Sequence, residues 1–159
     1  MKTTTVYEIL KAIGAIVICQ LAGIIGSLFT ASSIGSWYSA LNKPSFNPPN
    51  WVFGPVWITL YTMMGISLYL VWRSGSRDWL VLGVFGLQLV LNTLWSILFF
   101  GMHAPGWAFV EIVVLWASIV ATIVVFFGVS RTASYLLIPY ALWVSFAALL
   151  NFMLWRLNR

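Results

Sequence analysis

Amide and aromatic side chains recur at helical spacing along one apolar stretch of the sequence. They are Gln88, Asn92, Trp95, Ser96 and Phe99, which share one face of an α-helix. Amides orient a ligand by hydrogen bonding and aromatic rings contact flat apolar surfaces, so this face has the character of a small-molecule binding site. Asn92 and Asn151 can also act as interhelical hydrogen bonds that hold a bundle together, and the two roles can coexist.

Two further stretches have the same character. One face carries Tyr140, Trp143, Ala147, Leu150, Asn151 and Leu154, and another carries Trp51, Tyr61 and Gly65. Together the three faces predict an apolar, aromatic cavity with a few amide groups. Trp51 and Trp143 are expected to line it. Four other tryptophans lie at the ends of apolar segments, as in interfacial belts, namely Trp72, Trp79, Trp107 and Trp155.

Acid–base and metal chemistry find little support in the sequence. Paired carboxylates, a nucleophile–histidine pair and a phosphate-binding glycine loop are all missing, so no residue is assigned a firm catalytic role. A lone histidine can ligate haem iron, but His103 follows an apolar segment in a short loop and is expected to face solvent. With Cys19 as the single cysteine, no metal cage is expected.

Glu111 is the one acidic residue inside a predicted span. A carboxyl group within a membrane span is a candidate functional group. It lies about one turn inside its segment, however, and we expect it to reach the membrane surface or to hydrogen-bond there rather than to relay protons.

The elements that must position these residues are membrane helices. Only 7% of the 159 residues are charged, and the charges are separated by apolar runs long enough to cross a bilayer. We predict a single all-α domain, residues 1–159, with five transmembrane helices at about 12–30, 51–72, 79–101, 107–128 and 134–155. Long apolar runs argue against a β-barrel. Short turns predict that spans two to five are successive antiparallel neighbours.

The first connection, residues 31–50, is expected to be a long structured loop. The segment from Trp37 to Trp57 is rich in proline and tryptophan, which makes it stiff and apolar. We interpret it as the lid of a binding site. Asn47 before Pro48 and Pro49 predicts a helix N-terminus. Pro139 is expected to bend span five.

Charge distribution predicts the orientation in the membrane. One side carries Lys2, Lys11, Arg73, Arg77 and Arg131, and the other carries Lys43, Arg156 and Arg159. The basic excess favours an N-terminus inside and a C-terminus outside. Because the basic residues flank the spans, the net charge of +5 does not indicate nucleic-acid binding.

Three stretches resemble the translocator protein family, also called tryptophan-rich sensory proteins or peripheral benzodiazepine receptors. They are WYSALNKPSFNPPNWVFGPVWITLY from Trp37 to Tyr61, QLVLNTLWSILFFG from Gln88 to Gly101, and PYALWVSFAALLN from Pro139 to Asn151. Their order and spacing match the family, and the resemblance covers nearly the whole chain.

This resemblance implies a five-helix receptor or sensor, usually a homodimer, in a prokaryotic cell membrane. It implies that a pocket between the helices binds porphyrins such as protoporphyrin IX, as a ligand rather than a required cofactor. By position, the family pocket would include Trp51, Asn92, Trp95, Trp107, Trp143, Ala147 and Leu150. Phe152 stands where the sterol motif of animal members has tyrosine, so sterol binding is not expected.

Three functions are open from the sequence. A receptor would bind porphyrin-like molecules, with Asn151 in the pocket and Lys43 pairing with ligand carboxylates. An enzyme would break porphyrins down in light, with Trp51 and Trp143 as candidate reacting groups. A transporter would move small molecules or lipids, although the sequence shows no internal repeat. Gly83, Gly86, Ala117 and Ala121 are small residues that would allow dimerisation.

Overall fold

The computed structural model describes residues 2–76 and 78–159. Within these residues the chain is helical, contains no strand, and forms five helical segments long and apolar enough to cross a membrane. The helices are α1 (Lys2–Ser33), α2 (Asn50–Arg73), α3 (Trp79–Ser96), α4 (Pro105–Val129), α5 (Arg131–Leu136) and α6 (Ile138–Leu157). The π-helical segments Ile34–Tyr38 and Ile97–Gly101 continue α1 and α3. The predicted all-α membrane fold is confirmed.

Span one is longer than residues 12–30. Its helix begins near the N-terminus and includes Lys11 and Glu8, which form an ion pair at 3.1 Å on one helix face. At the other end the π-helical segment carries the chain on to Tyr38. The connection between spans one and two is therefore shorter than the predicted residues 31–50. We call residues 41–49 the first loop.

The predicted helix start at Asn47 is wrong. The N-cap of α2 is Pro49, and the helix begins at Asn50. A residue that precedes proline avoids the helical region, so two consecutive prolines postpone the first helical turn. Asn47 instead accepts a hydrogen bond from the Tyr38 hydroxyl at 3.0 Å.

The spans form a closed ring in which span one lies between spans two and three. Span four packs between spans three and five, and α5 packs on α2. Spans two and three are thus not the neighbours that their short connection predicts. Glycines explain the arrangement, because Gly65 lies against the backbone of Ile16 and Gly26 against Ser96, which brings span one close to both partners.

Span five is interrupted where its proline predicts a bend. Helix α5 ends at Leu136 and α6 begins at Ile138, with Pro139 in its first turn. Of the basic residues used to predict orientation, Arg77 lies outside the described residues.

Candidate functional site

A cavity of about 540 Å³ lies among spans one, two, three and five. This volume is within the range of small-molecule sites. Its lining is mostly apolar and aromatic, with a few amide and hydroxyl groups. At its wall the structure brings together seven of the nine residues assigned to ligand binding, namely Trp51, Asn92, Trp95, Trp143, Ala147, Leu150 and Asn151.

The other two of these nine, Trp107 and Lys43, do not lie at the cavity wall. The predicted faces also include three residues that the lining lacks, namely Gln88, Gly65 and Tyr140. Trp107, on the outer face of α4, is 71% exposed and fits the interfacial belt. Lys43 lies in the first loop, where its ammonium group donates to the carbonyls of Ser39 and Leu41 at 3.2 and 3.3 Å. These contacts satisfy one carbonyl in the last helical turn before the loop and one in the loop itself.

Asn92 connects three spans at the inner end of the cavity. The Tyr61 hydroxyl donates to Asn92 Oδ1, and Asn92 Nδ2 donates to the Tyr140 hydroxyl at 2.9 Å. All three side chains are buried, while Asn92 and Tyr61 also line the cavity. Asn92 therefore makes the predicted interhelical hydrogen bonds and also faces the cavity. Its role in orienting a ligand stays a prediction.

Asn151 makes a second interhelical link nearer the cavity mouth. Its Oδ1 accepts from the indole Nε1 of Trp95 at 2.9 Å, and its Nδ2 donates to the carbonyl of Pro105 at 2.8 Å. The amide thereby sets the orientation of the Trp95 ring. That ring stacks on Phe99 with centroids 5.2 Å apart, so it presents an aromatic wall to the cavity.

Tryptophans from two other spans complete the aromatic lining. Trp51, at the start of α2, is 75% exposed at the mouth. Trp143 packs edge-on against Phe53, with ring centroids 6.0 Å apart. The Trp143 indole N–H is buried and has no hydrogen-bond partner among the described residues.

The two π-helical segments meet at the rim. Tyr38 from the first contacts Phe99 and Phe100 from the second, and all three line the cavity. π-Helical turns occur frequently at functional sites. They place side chains here that a regular helical repeat would direct elsewhere.

His103 is exposed, as predicted, yet it is also held in place. Its ring stacks on Trp37 with centroids 4.4 Å apart, and its Nε2 lies 3.2 Å from the Ser33 hydroxyl. Since the Ser33 hydroxyl donates to the carbonyl of Phe100 at 2.7 Å, the histidine is the donor in their contact. The described residues contain no cluster of three potential metal ligands.

The first loop is anchored to the end of span five. Asn42 and Asn158 exchange two hydrogen bonds of 2.9 Å, in which the amide side chain of Asn158 pairs with the backbone N–H and carbonyl of Asn42. Phe46 contacts Phe146 edge-on. The first loop, which follows span one, is therefore attached to span five.

The prediction for Glu111 is wrong. Its side chain is 7% exposed, and neither carboxyl oxygen has a hydrogen-bond partner among the described residues. The carboxyl does not reach the surface because its helix position faces the bundle interior, which hydropathy alone does not reveal.

Sequence reasoning missed part of the wall. Span one contributes Gln20, Gly23, Ser27 and other residues, and Trp57 joins from span two. The small residues of span one do indicate close packing, and Gly23 is in contact with the Tyr61 ring.

Known proteins share this sequence over nearly its full length. The TspO/MBR family profile matches residues 15–156. The tryptophan-rich protein TspO of Archaeoglobus fulgidus is 46% identical over 152 residues, which cover 95% of this chain and 99% of that protein. The translocator protein of Sus scrofa is 40% identical over 154 residues, which cover 94% of this chain and 91% of that protein. The tryptophan-rich sensory protein of Cereibacter sphaeroides is 40% identical over 123 residues, covering 77% of each chain.

The five apolar helices, the tryptophan-lined cavity between them and these matches agree with one another. This chain is an integral membrane protein that belongs to the TspO/MBR family.

Proposed function

We propose that this protein is a receptor that binds porphyrins and similar flat, apolar molecules in the cavity. The observation that carries the proposal is the wall itself, where four indole rings surround a space of about 540 Å³. They belong to Trp51, Trp57, Trp95 and Trp143. A planar tetrapyrrole would gain stacking and dispersion contacts with such rings.

The polar groups of the cavity would orient the ligand. Asn92 and Asn151 are already hydrogen-bonded to neighbouring side chains, so they offer only their remaining capacity. The buried indole N–H of Trp143 is an unused donor for a ligand oxygen after a small rotation of the ring. Pairing of ligand carboxylates with Lys43 stays a prediction, since the ammonium group would have to leave its backbone partners.

Quenching of tryptophan fluorescence by protoporphyrin IX in the dark tests the proposal. We expect saturable quenching, with affinity about fivefold to thirtyfold weaker in Trp51→Phe/Trp143→Phe, because each substitution removes aromatic contact worth about 0.5–1 kcal/mol. The matched control is Trp79→Phe/Trp107→Phe, which removes two exposed indoles outside the cavity lining. Non-saturable quenching, or equal weakening in both variants, would contradict binding in the cavity.

Light-dependent porphyrin breakdown is the second candidate. The feature that favours it is that Trp51 and Trp143 line the same space, so both indoles can contact one ligand. Illumination of the complex distinguishes the candidates, because a receptor alone would leave porphyrin absorbance falling only as fast as in detergent without protein. For transport, uptake into sealed vesicles with a protein-free control is the corresponding test.

Loosening the first loop should speed ligand exchange. Asn158→Ala removes both hydrogen bonds to Asn42, each worth about 1 kcal/mol. We expect association and dissociation rates for protoporphyrin IX to rise several-fold together, with a smaller change in Kd. Stopped-flow quenching measures both rates. Leu157→Ala, an exposed neighbour on the same helix, is the control, and unchanged rates in Asn158→Ala would show that the loop does not limit exchange.

The oligomeric state of the protein and its orientation in the membrane are also proposals. A homodimer could form through Gly83 and Gly86, since a methyl group added at either glycine would meet nothing within 4 Å of this protomer. The basic residues favour an N-terminus inside. A prokaryotic cell membrane is proposed from the resemblance to archaeal and bacterial relatives.

A further inference from the structure

Contacts between spans close three sides of the cavity. Between spans two and five, the Phe53 ring lies edge-on against Trp143. Between spans one and three, the Thr93 hydroxyl donates to the carbonyl of Ala22 at 3.3 Å. Between spans three and five, the amide of Asn151 makes the link described above. A molecule that enters the cavity must therefore use the fourth side, between spans one and two.

Spans one and two are joined over only part of their length. Gln20 Nε2 donates to the carbonyl of Ile58 and to the hydroxyl of Thr62, both at 3.0 Å. One turn further along span one, Gly23 lies against the Tyr61 ring. Beyond residue 23, toward the first loop, these two spans share no hydrogen bond or ring contact within residues 2–76 and 78–159.

The cavity opens to the outside along this unjoined stretch. In the part of the chain that the structure describes, every exposed residue of the lining belongs to span one or span two, namely Ile24, Ser27, Ala31, Asn50, Trp51, Gly54 and Ile58. In the antiparallel register that Gln20 and Thr62 define, Ile24 lies level with Ile58. The exposed residues thus form two facing edges, and we call the gap between them the lateral opening.

The lateral opening faces the hydrocarbon region of a membrane. The helical rise from Trp51 to Ile58 is about 10 Å, and a bilayer has a hydrocarbon core of about 30 Å. With Trp51 at the interface, the opening extends into the outer part of this core. Ile24 and Ile58, which are 54% and 61% exposed, present apolar side chains there. The molecules that contact the opening are therefore lipid acyl chains.

The interior of the cavity suits a hydrocarbon chain better than water. Among the described residues, those of the lining include no charged side chain. The hydroxyl groups of Ser27 and Thr30 donate to carbonyls of their own helix, and the amides of Asn92 and Asn151 pair with aromatic side chains. A buried water needs several free polar partners, whereas a hydrocarbon chain needs only apolar contacts.

We propose that the acyl chain of a bilayer phospholipid enters the lateral opening and occupies the cavity when no other ligand is bound. The headgroup stays at the membrane surface beside Trp51, and the chain extends toward Trp95 and Leu150 on the opposite wall. Dispersion contacts with the aromatic lining stabilise the chain. Any other ligand of the cavity then has to displace lipid. This inference concerns the ligand-free protein and does not rest on porphyrin binding.

Photo-crosslinking of the whole chain tests the proposal. The protein is reconstituted without porphyrin in phosphatidylcholine vesicles that contain a phosphatidylcholine with a diazirine on its acyl chain. After irradiation, mass spectrometry of the peptides locates the adducts. We expect adducts at Trp95 and Leu150, which line the cavity, as well as at Leu87 and Val90, which are exposed on the outer surface. Adducts at Leu87 and Val90 alone would overturn the proposal.

A bulky side chain at the edge of the lateral opening tests the route. Ile58→Trp should lower the yield of adducts at Trp95 and Leu150 severalfold, because the indole narrows the opening. Adducts at Val90, which report insertion into the bilayer, should stay unchanged. Ile25→Trp is the matched control and should give the wild-type pattern, since Ile25 is 49% exposed on span one but does not line the cavity. Unchanged adducts at Trp95 and Leu150 in Ile58→Trp would show that the chain does not enter between spans one and two.

Discussion

Ala147→Trp is expected to weaken porphyrin binding by at least tenfold. Ala147 lies on the α6 face that lines the cavity, near Trp143. An indole at this position would occupy the space that a planar ligand needs and would take over its contacts with the surrounding aromatic rings. A tenfold loss corresponds to about 1.4 kcal/mol, which is modest compared with the apolar area that an excluded ligand fails to bury.

The measurement is a titration of the porphyrin absorbance band, because added tryptophan complicates fluorescence quenching. Leu149→Trp is the matched control, since Leu149 lies on the same helix but is exposed on the outer face of the bundle. It should retain wild-type affinity. Wild-type affinity in both variants would place the ligand outside the cavity. An equal loss of affinity in both variants would indicate a general effect of the added side chain.

Gly65→Ala is expected to destabilise the bundle by about 1–3 kcal/mol, as overpacking of a close contact does. A methyl carbon at Gly65 would lie 2.5 Å from the Cα of Ile16, so the backbones of spans one and two would have to separate. No flexible side chain can move aside to relieve this contact. Because span one also forms part of the cavity wall, porphyrin binding should weaken together with stability.

Thermal unfolding in detergent measures the change. Gly14→Ala, in span one, is the control, because a methyl group there meets nothing within 4 Å. It should be neutral or stabilising by up to about 1 kcal/mol, since alanine favours the helix over glycine. Opposite signs for the two variants identify the contact with Ile16 as the cause. A stabilising effect of Gly65→Ala would mean that spans one and two do not pack this closely.

Much of the cavity was predictable because its residues repeat at helical spacing. Asn92 and Trp95 share one face of α3, and Trp143, Ala147 and Asn151 share one face of α6. Polar side chains on otherwise apolar helices are costly in lipid, so these faces had to point inward. The break near Pro139 followed from the missing amide donor of proline.

Other positions depended on which helices are neighbours. Span one inserts between spans two and three because glycines allow close contact, and it thereby becomes a wall of the cavity. Trp107 matches the family pocket by position, yet it lies on the outer face of α4. Lys43 was expected to pair with ligand carboxylates, yet its ammonium group bonds to backbone carbonyls.

The sequence by itself determined the membrane class, the five apolar helices, the family and the faces that carry amides and indoles. Tertiary structure alone decided the order of the helices, the burial of Glu111 and the hydrogen bonds that join Tyr61, Asn92 and Tyr140. The physical reason is that hydropathy and periodicity describe one helix at a time. Whether a side chain on its face meets lipid, a cavity or a partner is determined by helices distant in sequence.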